Sequence, residues 1–305
     1  LIDVNIIDFQ YKLIDEQYIK NEIRLVSSMI ASSISDVWEN NFILNHKGLL
    51  GGIVITKYTG VEKVINIPKY INGIKVVAIG NKAFSRSQIN SVIIPDGLIY
   101  IGYRAFSLSK LKHIQLPTTI KSISDYAFYR CKIEELALPN SIDYIGASAF
   151  FKNNLSGKLK LPSNLKFISE NSFAYNFLEE VSIPFDVLEI RSGAFFRNSI
   201  SCVNFHSNLK IIEAIAFSCN NLGKLIIPDN VVYIGERAFC ENKITDLRLP
   251  CNLYNIESKA FYGNPLVNVT MASKLNNNIH KYFDDFYFDE EVGESVNVNI
   301  NFKFI

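Results

Sequence analysis

A phenylalanine returns every 22 residues through most of this 305-residue chain, at Phe84, Phe106, Phe128, Phe150, Phe173, Phe195, Phe217, Phe239 and Phe261, with one step of 23 between Phe150 and Phe173. Each closes a hexapeptide of the form Ile-x-x-x-small-Phe, as in IGYRAF at 101–106 and IGERAF at 234–239. A fixed period in this range is the mark of a solenoid, whose repeats bury their apolar faces only by stacking on one another. Prolines keep the same beat at Pro95, Pro117, Pro139, Pro162, Pro184, Pro228 and Pro250, and lapse at His206 and Ala272.

Between Phe and Pro runs apolar-x-x-apolar-x-apolar-Pro, as in LKHIQLP at 111–117 and ITDLRLP at 244–250, and its alternation is that of a short strand. Too few residues remain in each repeat for a long helix. Each coil is therefore a strand, a proline turn, a return segment carrying the hexapeptide, and a second turn. Stacked coils place neighbouring strands about 4.8 Å apart in a parallel sheet, so the array extends roughly 40 Å. The motif Ile and Phe point inward from the return side, each Phe stacked on its neighbours, and Ala lets adjacent coils close up.

Three departures from the repeat carry their own expectations. The first coil is longer, with YINGIKV at 70–76 forming a turn around Asn72-Gly73. The single 23-residue step puts an extra residue near Ser156-Gly157, the place for a bulge before KLKLP. Both ends must differ because a bare solenoid end exposes core. At residues 5–38, Phe9, Leu13, Ile19, Ile23, Ile30, Ile34 and Trp38 recur at helical spacing and predict one or two capping helices, while VNVNINFKF at 296–304 alternates as a closing strand.

The pairing of LxxLxL with I-x-x-x-A-F and an Ile/Leu-Pro turn resembles the BspA-like class of leucine-rich repeats, from about Ile53 to Ala272 and including GGIVITKYTG at 51–60. Many leucine-rich repeats place an Asn after the strand in a buried hydrogen-bonded ladder; here Pro takes that region, a turn with no N–H to satisfy. The expected fold is an α/β repeat solenoid, a curved array of about nine 22-residue coils with a parallel sheet. It divides into a helical region at 1–48, the solenoid at 49–272 and a capping segment at 273–305. The resemblance implies a bacterial, surface-exposed or secreted protein that binds host, matrix or other cell-surface proteins.

Nothing in the sequence points to catalysis, a cofactor or a metal. The four histidines (His46, His113, His206, His280) have no helical-spacing partners, and no HExxH, GxSxG or GxxxxGK[ST] occurs. Asp284, Asp285, Asp289, Glu290 and Glu291 lack the spaced, glycine-containing loop of a calcium site and fit a solvated cap hairpin. Net charge is +1 with no Lys/Arg block, which argues against a nucleic-acid binder, and no apolar run is long enough to cross a bilayer. Five cysteines include Cys219 and Cys240 in neighbouring coils, within reach of a disulfide, although free thiols are the plainer reading.

A partner has two candidate surfaces. The strand face, presumed concave, presents His113, Gln115, Glu135, Lys158, Lys160, Glu180, Ser182, Asn204, Lys224, Asp246 and Arg248, mixed in charge and without an aromatic. The return side carries two aromatic ridges if their rings are exposed: Tyr100, Tyr144, Phe167 and Tyr233 before the motif Ile, and Tyr129, Phe151, Phe196 and Tyr262 after the motif Phe. The expected function is a non-enzymatic protein-binding scaffold at the cell surface or secreted, acting in adhesion or host recognition. The alternative is a cytoplasmic scaffold or secreted effector that recruits a protein partner.

Overall fold

The computed structural model describes residues 6–27, 48–273, 283, 286–289, 294–297 and 300–304. Its core is a column of rings. From Phe84 to Phe261 every motif Phe is buried and lies nearly parallel to the next, with centroids 4.8 to 5.8 Å apart. That separation is the rise of one coil, so the period read from the sequence is the spacing of stacked aromatic faces. The motif Ile and Ala residues are buried beside the rings, as expected.

Two sets of parallel strands enclose this column. On the strand side, pairing follows the 22-residue step, as in Lys224↔Asp246↔Asn268. These strands fall into three groups: Val64–Asn66 to His113–Gln115, Ser156–Lys160 to Cys202–Asn204, and Lys224–Ile226 to Asn301–Phe304. On the return side, two-residue strands such as Tyr100–Ile101 and Tyr233–Ile234 stack in register just before the hexapeptide turn. No helix occurs within the coils among the described residues; the helices there are Glu16–Ser27 and a 3-10 turn at Ile6–Asp8, with 3-10 backbone again at Ser273, past the last coil. At the proline corner the Pro carbonyl accepts from a residue three on, as in Ile120 N–H to Pro117, and His206 serves Leu209 in the same way.

Two features hold the hexapeptide turn together. Its residues two before and two after each Phe have left-handed backbone, as at Arg237 (φ 53°) and Glu241 (φ 54°), and their N–H groups donate to the next coil. Three residues after the Phe, Asn153, Asn176, Asn198, Asn220, Asn242 and Asn264 form a hydrogen-bonded ladder. Each amide donates to the Phe carbonyl of the coil before, at 2.8 to 3.0 Å. The Asn ladder is therefore present, moved to the corner that follows the Phe. Cys131 takes the same position earlier, its thiol donating to the Phe106 carbonyl.

The irregular points behave as their residues dictate. Asn72 and Gly73, with φ of 50° and 78°, make a two-residue hairpin in which Ile71 pairs with Ile74. A register shift falls between Gly157 and Lys158, with Gly157 at φ 66°, which is the expected bulge. It lengthens the paired strands to Ser156–Lys160 and Phe177–Ser182.

The N-terminal expectation needs correcting. Phe9–Leu13 is a strand, antiparallel to Ile53–Tyr58, and the helix begins only at Glu16. Pairing with Ile53–Tyr58 satisfies that sheet edge, and Phe9 and Tyr58 continue the ring column above Phe84. Asp15 caps the helix by accepting from the Tyr18 N–H at 2.7 Å. Ile30, Ile34 and Trp38 lie outside the described residues. At the other end, 296–304 holds parts of two strands: Glu294–Asn297 pairs in a hairpin with Phe286–Asp289, and Asn301–Phe304 extends the sheet beside Asn268–Met271. Buried Phe283 stacks on Phe261 and closes the column.

Candidate functional site

Part of the strand face's charge is held in contacts between coils. Lys158 bonds Glu180 at 2.7 Å, Asn204 donates to the same carboxylate, Asn268 donates to Asp246, and Arg248 bonds Asp229. The partners stand in adjacent coils because the step of one coil sets unlike side chains side by side. His113, Gln115, Glu135, Lys160 and Lys224 are exposed and Ser182 is half-buried. This face is a polar sheet surface of mixed charge.

The first ridge is not a ridge. Tyr100 and Tyr144 are buried, and Phe167 and Tyr233 half-buried. Ile14, Leu49, Val54, Val77 and Ala78 pack with the two tyrosines, and Tyr18 and Ile19 of the N-terminal helix lie against them. Arg191 covers Phe167, its guanidinium carbon 3.7 Å from the ring centre. Ile14, Tyr18, Ile19 and Leu49, which belong to no repeat, thus join Tyr100 and Tyr144 in one cluster, and no repeat pattern reveals that.

Beneath this cover sits buried Asp125, whose Oδ1 accepts from the Ala147 N–H at 2.8 Å and the Tyr144 hydroxyl at 3.0 Å. Burial holds its carboxyl above the ordinary range. Asn81 accepts from the Tyr103 N–H in the equivalent place, so the carboxylate ties one coil to the next. The cysteines are free thiols, and burial pushes Cys131 and Cys240 up to about 11. Among the described residues no His, Cys, Asp or Glu cluster could hold a metal ion.

From Tyr126 to Phe196 the second ridge is continuous and open. Tyr126 meets Tyr129 at 5.4 Å, Tyr129 stacks on Phe151 at 5.1 Å, Phe151 meets Tyr175 at 5.0 Å and Tyr175 meets Phe196 at 5.3 Å. All five rings are half-buried or exposed. Arg104 lies over Tyr126, and Arg197 over Tyr175 and Phe196. Tyr262 is exposed with Lys259 over its ring, farther along. Tyr126 and Tyr175 were not anticipated; they sit two residues to either side of a motif Phe, on the left-handed positions, where residue types vary from coil to coil. Beside them lies a groove of about 690 Å³ lined by Arg130, Lys132, Lys152, Tyr175, Phe177 and Arg197, with asparagines of the ladder in its lining.

No helix of the described residues is long and apolar enough to cross a membrane. No curated protein matches the sequence significantly. Among solved structures, a leucine-rich-repeat protein of T. pallidum is similar at 24% identity and a TM-score of 0.53, over 71% of this chain and 88% of that one. Another, from Bacteroides ovatus, is similar at 21% identity and a TM-score of 0.54, over 72% and 67%. At these identities the shared property is the fold. The family described as BspA type leucine-rich repeat region matches residues 77–200 and 167–287. Its repeats typically serve as non-enzymatic, protein-binding scaffolds. Ring column, coil length and sequence match agree, and the chain belongs to the BspA-type leucine-rich-repeat family.

Proposed function

We propose that this solenoid is a binding scaffold displayed at the cell surface or secreted, where it engages a host, matrix or other cell-surface protein through its return-side rim. The observation that carries the reading is the unbroken aromatic run from Tyr126 to Phe196 with Arg104 and Arg197 over it. Tyr and Arg dominate the energetics of tight protein interfaces, and these rings are held rigidly by stacking, so little conformational freedom is lost on binding. The extracellular placement is supported by what the repeat class implies. Five free thiols favour one second reading, an intracellular scaffold with the same binding rim.

Two measurements test this. Purified protein and a Tyr129→Ser/Tyr175→Ser variant are applied to immobilised matrix proteins and to intact host cells. Saturable binding that the variant loses is the expected result; equal binding by both removes the rim. Protease treatment of intact source cells tests location: digestion is expected, and protection until lysis moves the function inside the cell.

A further inference from the structure

We propose that the groove running from Arg130 to Arg197 receives an extended acidic protein segment with an apolar side chain among its acids. This rests on the protein-binding reading above and names the chemistry of the partner. The groove lining contains Arg130, Lys132, Lys152 and Arg197 and no carboxylate. All four cations are exposed, and none forms an ion pair among the described residues. On the strand face Lys160 and Lys224 are likewise unpaired, but Lys158 and Arg248 are paired and carboxylates such as Glu180 and Asp246 stand among them, whereas the groove holds cations alone. Like charges on neighbouring coils repel, and an incoming carboxylate relieves that repulsion.

The groove's middle is apolar. Tyr175 is 36% exposed and Phe177 58% exposed, between Lys152 on one coil and Arg197 on the next but one. Phe177 stands there because of the bulge: the inserted residue lets Ser156 pair with Phe177 and extends both strands to the rim. Below, the amides of Asn153, Asn176 and Asn198 already donate to buried carbonyls of the ladder, so recognition falls to the charged and aromatic walls.

Dimensions and composition favour a peptide over a polyanion. Arg130, Lys152, Tyr175 and Arg197 share one offset in four successive coils, so the outer cations stand roughly 15 Å apart along the stack, about five residues of extended chain. A sulfated glycan or nucleic acid rewards an unbroken run of cations, whereas this row is interrupted by Tyr175. It then ends at Cys219, whose thiol donates to Glu241 at 3.0 Å. Acids flanking an apolar residue match cation, ring, cation in that order.

The probe is a display library of random peptides about twelve residues long, long enough to overrun the groove. It is selected on the intact protein and, in parallel, on Lys132→Glu/Lys152→Glu/Arg197→Glu. These positions are exposed, and circular dichroism confirms that the variant folds. The expected result is enrichment of Asp and Glu around Phe, Trp or Leu. Synthetic versions should bind about tenfold or more weaker to the variant and weaken as salt rises. Phe177→Ser should weaken them without changing the salt dependence. Selected peptides without an acidic bias, or with equal affinity for the variant, overturn the groove assignment and leave the scaffold reading standing. Heparin binding lost in the variant, with no peptide enriched, overturns it in favour of a glycan. Failure of the scaffold reading shows separately, as absence of rim-dependent binding to any protein surface.

Discussion

The side-chain amide of Asn242 donates to the carbonyl of Phe217, 25 residues and one coil earlier, at 2.9 Å. The same amide donates to Phe239 at 3.1 Å, while its oxygen accepts from the Leu222 N–H at 3.1 Å. One buried side chain thus ties two coils and the start of a strand.

Removing that amide leaves one group stranded. Phe217 keeps a donor from Asn220 and Phe239 one from Asn264, but the Leu222 N–H loses its acceptor. A buried, unsatisfied N–H costs about 1–3 kcal/mol. Asn242→Ala is therefore expected to lower stability by roughly 2 kcal/mol in urea denaturation, within that range. A loss indistinguishable from zero would show that water substitutes for the amide.

Ile215 poses the opposite case. It has φ 49°, in the left-handed region where a β-branched side chain is strained, at a position that Asn171 and Gly193 fill two coils and one coil earlier. The N–H ladder enforces this backbone, since Ile215 N–H donates to Glu236 at 2.9 Å. Asn tolerates the conformation, so Ile215→Asn is expected to raise stability by about 0.5–1 kcal/mol, a fraction of the cost of a strained residue. A lower urea midpoint would mean that the half-buried apolar contact outweighs the strain.

The sequence displayed what repeats and hid what does not. Phe, Ile and Pro recur because each occupies a position that only one shape fills, so the ring column, the coil and the Gly157 bulge were readable. The Asn ladder is written in the sequence too, from Asn153 to Asn264 at three residues past each Phe, at the corner opposite the one where other leucine-rich repeats carry it. The left-handed positions were opaque, because Lys, Arg, Tyr, Ser and Ile all occur there and the inter-coil hydrogen bonds override local preference. Phe9 and Leu13 fit a helical spacing and lie in a strand, because the partner that decides the matter, Ile53–Tyr58, is forty or more residues away. Burial of Tyr100 and Tyr144 was hidden for the same reason: part of the cluster they join, Ile14, Tyr18, Ile19 and Leu49, lies outside the repeats.

Asp143 gives the stability a pH dependence with a definite sign. Burial pushes its carboxyl up to about 6, with Lys121 opposing. A folded-state pKa above the unfolded value means that the folded protein binds the proton more tightly. The penalty for the charged form is thus fully present above about pH 6, and stability is regained as pH falls from there towards about 4. Asp143→Asn removes the penalty. The variant is expected to melt above the parent at neutral pH and to lose that advantage near the unfolded pKa of about 4. A difference independent of pH would assign the effect to something other than this titration.

The thiols offer a probe of the ladder and of the coil stack in one experiment. The thiolate is the reacting form, so a buried thiol with a raised pKa is doubly protected. Cys131 occupies the ladder position and Cys240 lies one coil on from Cys219, whose N–H donates to the Cys240 carbonyl. Both Cys131 and Cys240 are buried and pushed up to about 11, whereas Cys202 and Cys251 are exposed. Cys219 is intermediate, its pKa raised by burial and by its hydrogen bond to Glu241. Labelling with a thiol-reactive dye near pH 8, below the ordinary thiol pKa of about 8.5, should modify Cys202 and Cys251 first and Cys219 slowly. Cys131 and Cys240 should react only as urea unfolds the array, and peptide mapping assigns each site. Because neighbouring coils support one another, Cys131 should become reactive together with the loss of its adjacent coils and ahead of complete unfolding if the array opens in parts. Rapid labelling of Cys131 in the native protein would contradict the packing of the ladder. A mapped Cys219–Cys240 disulfide would contradict the assignment of free thiols and place the chain in an oxidising compartment.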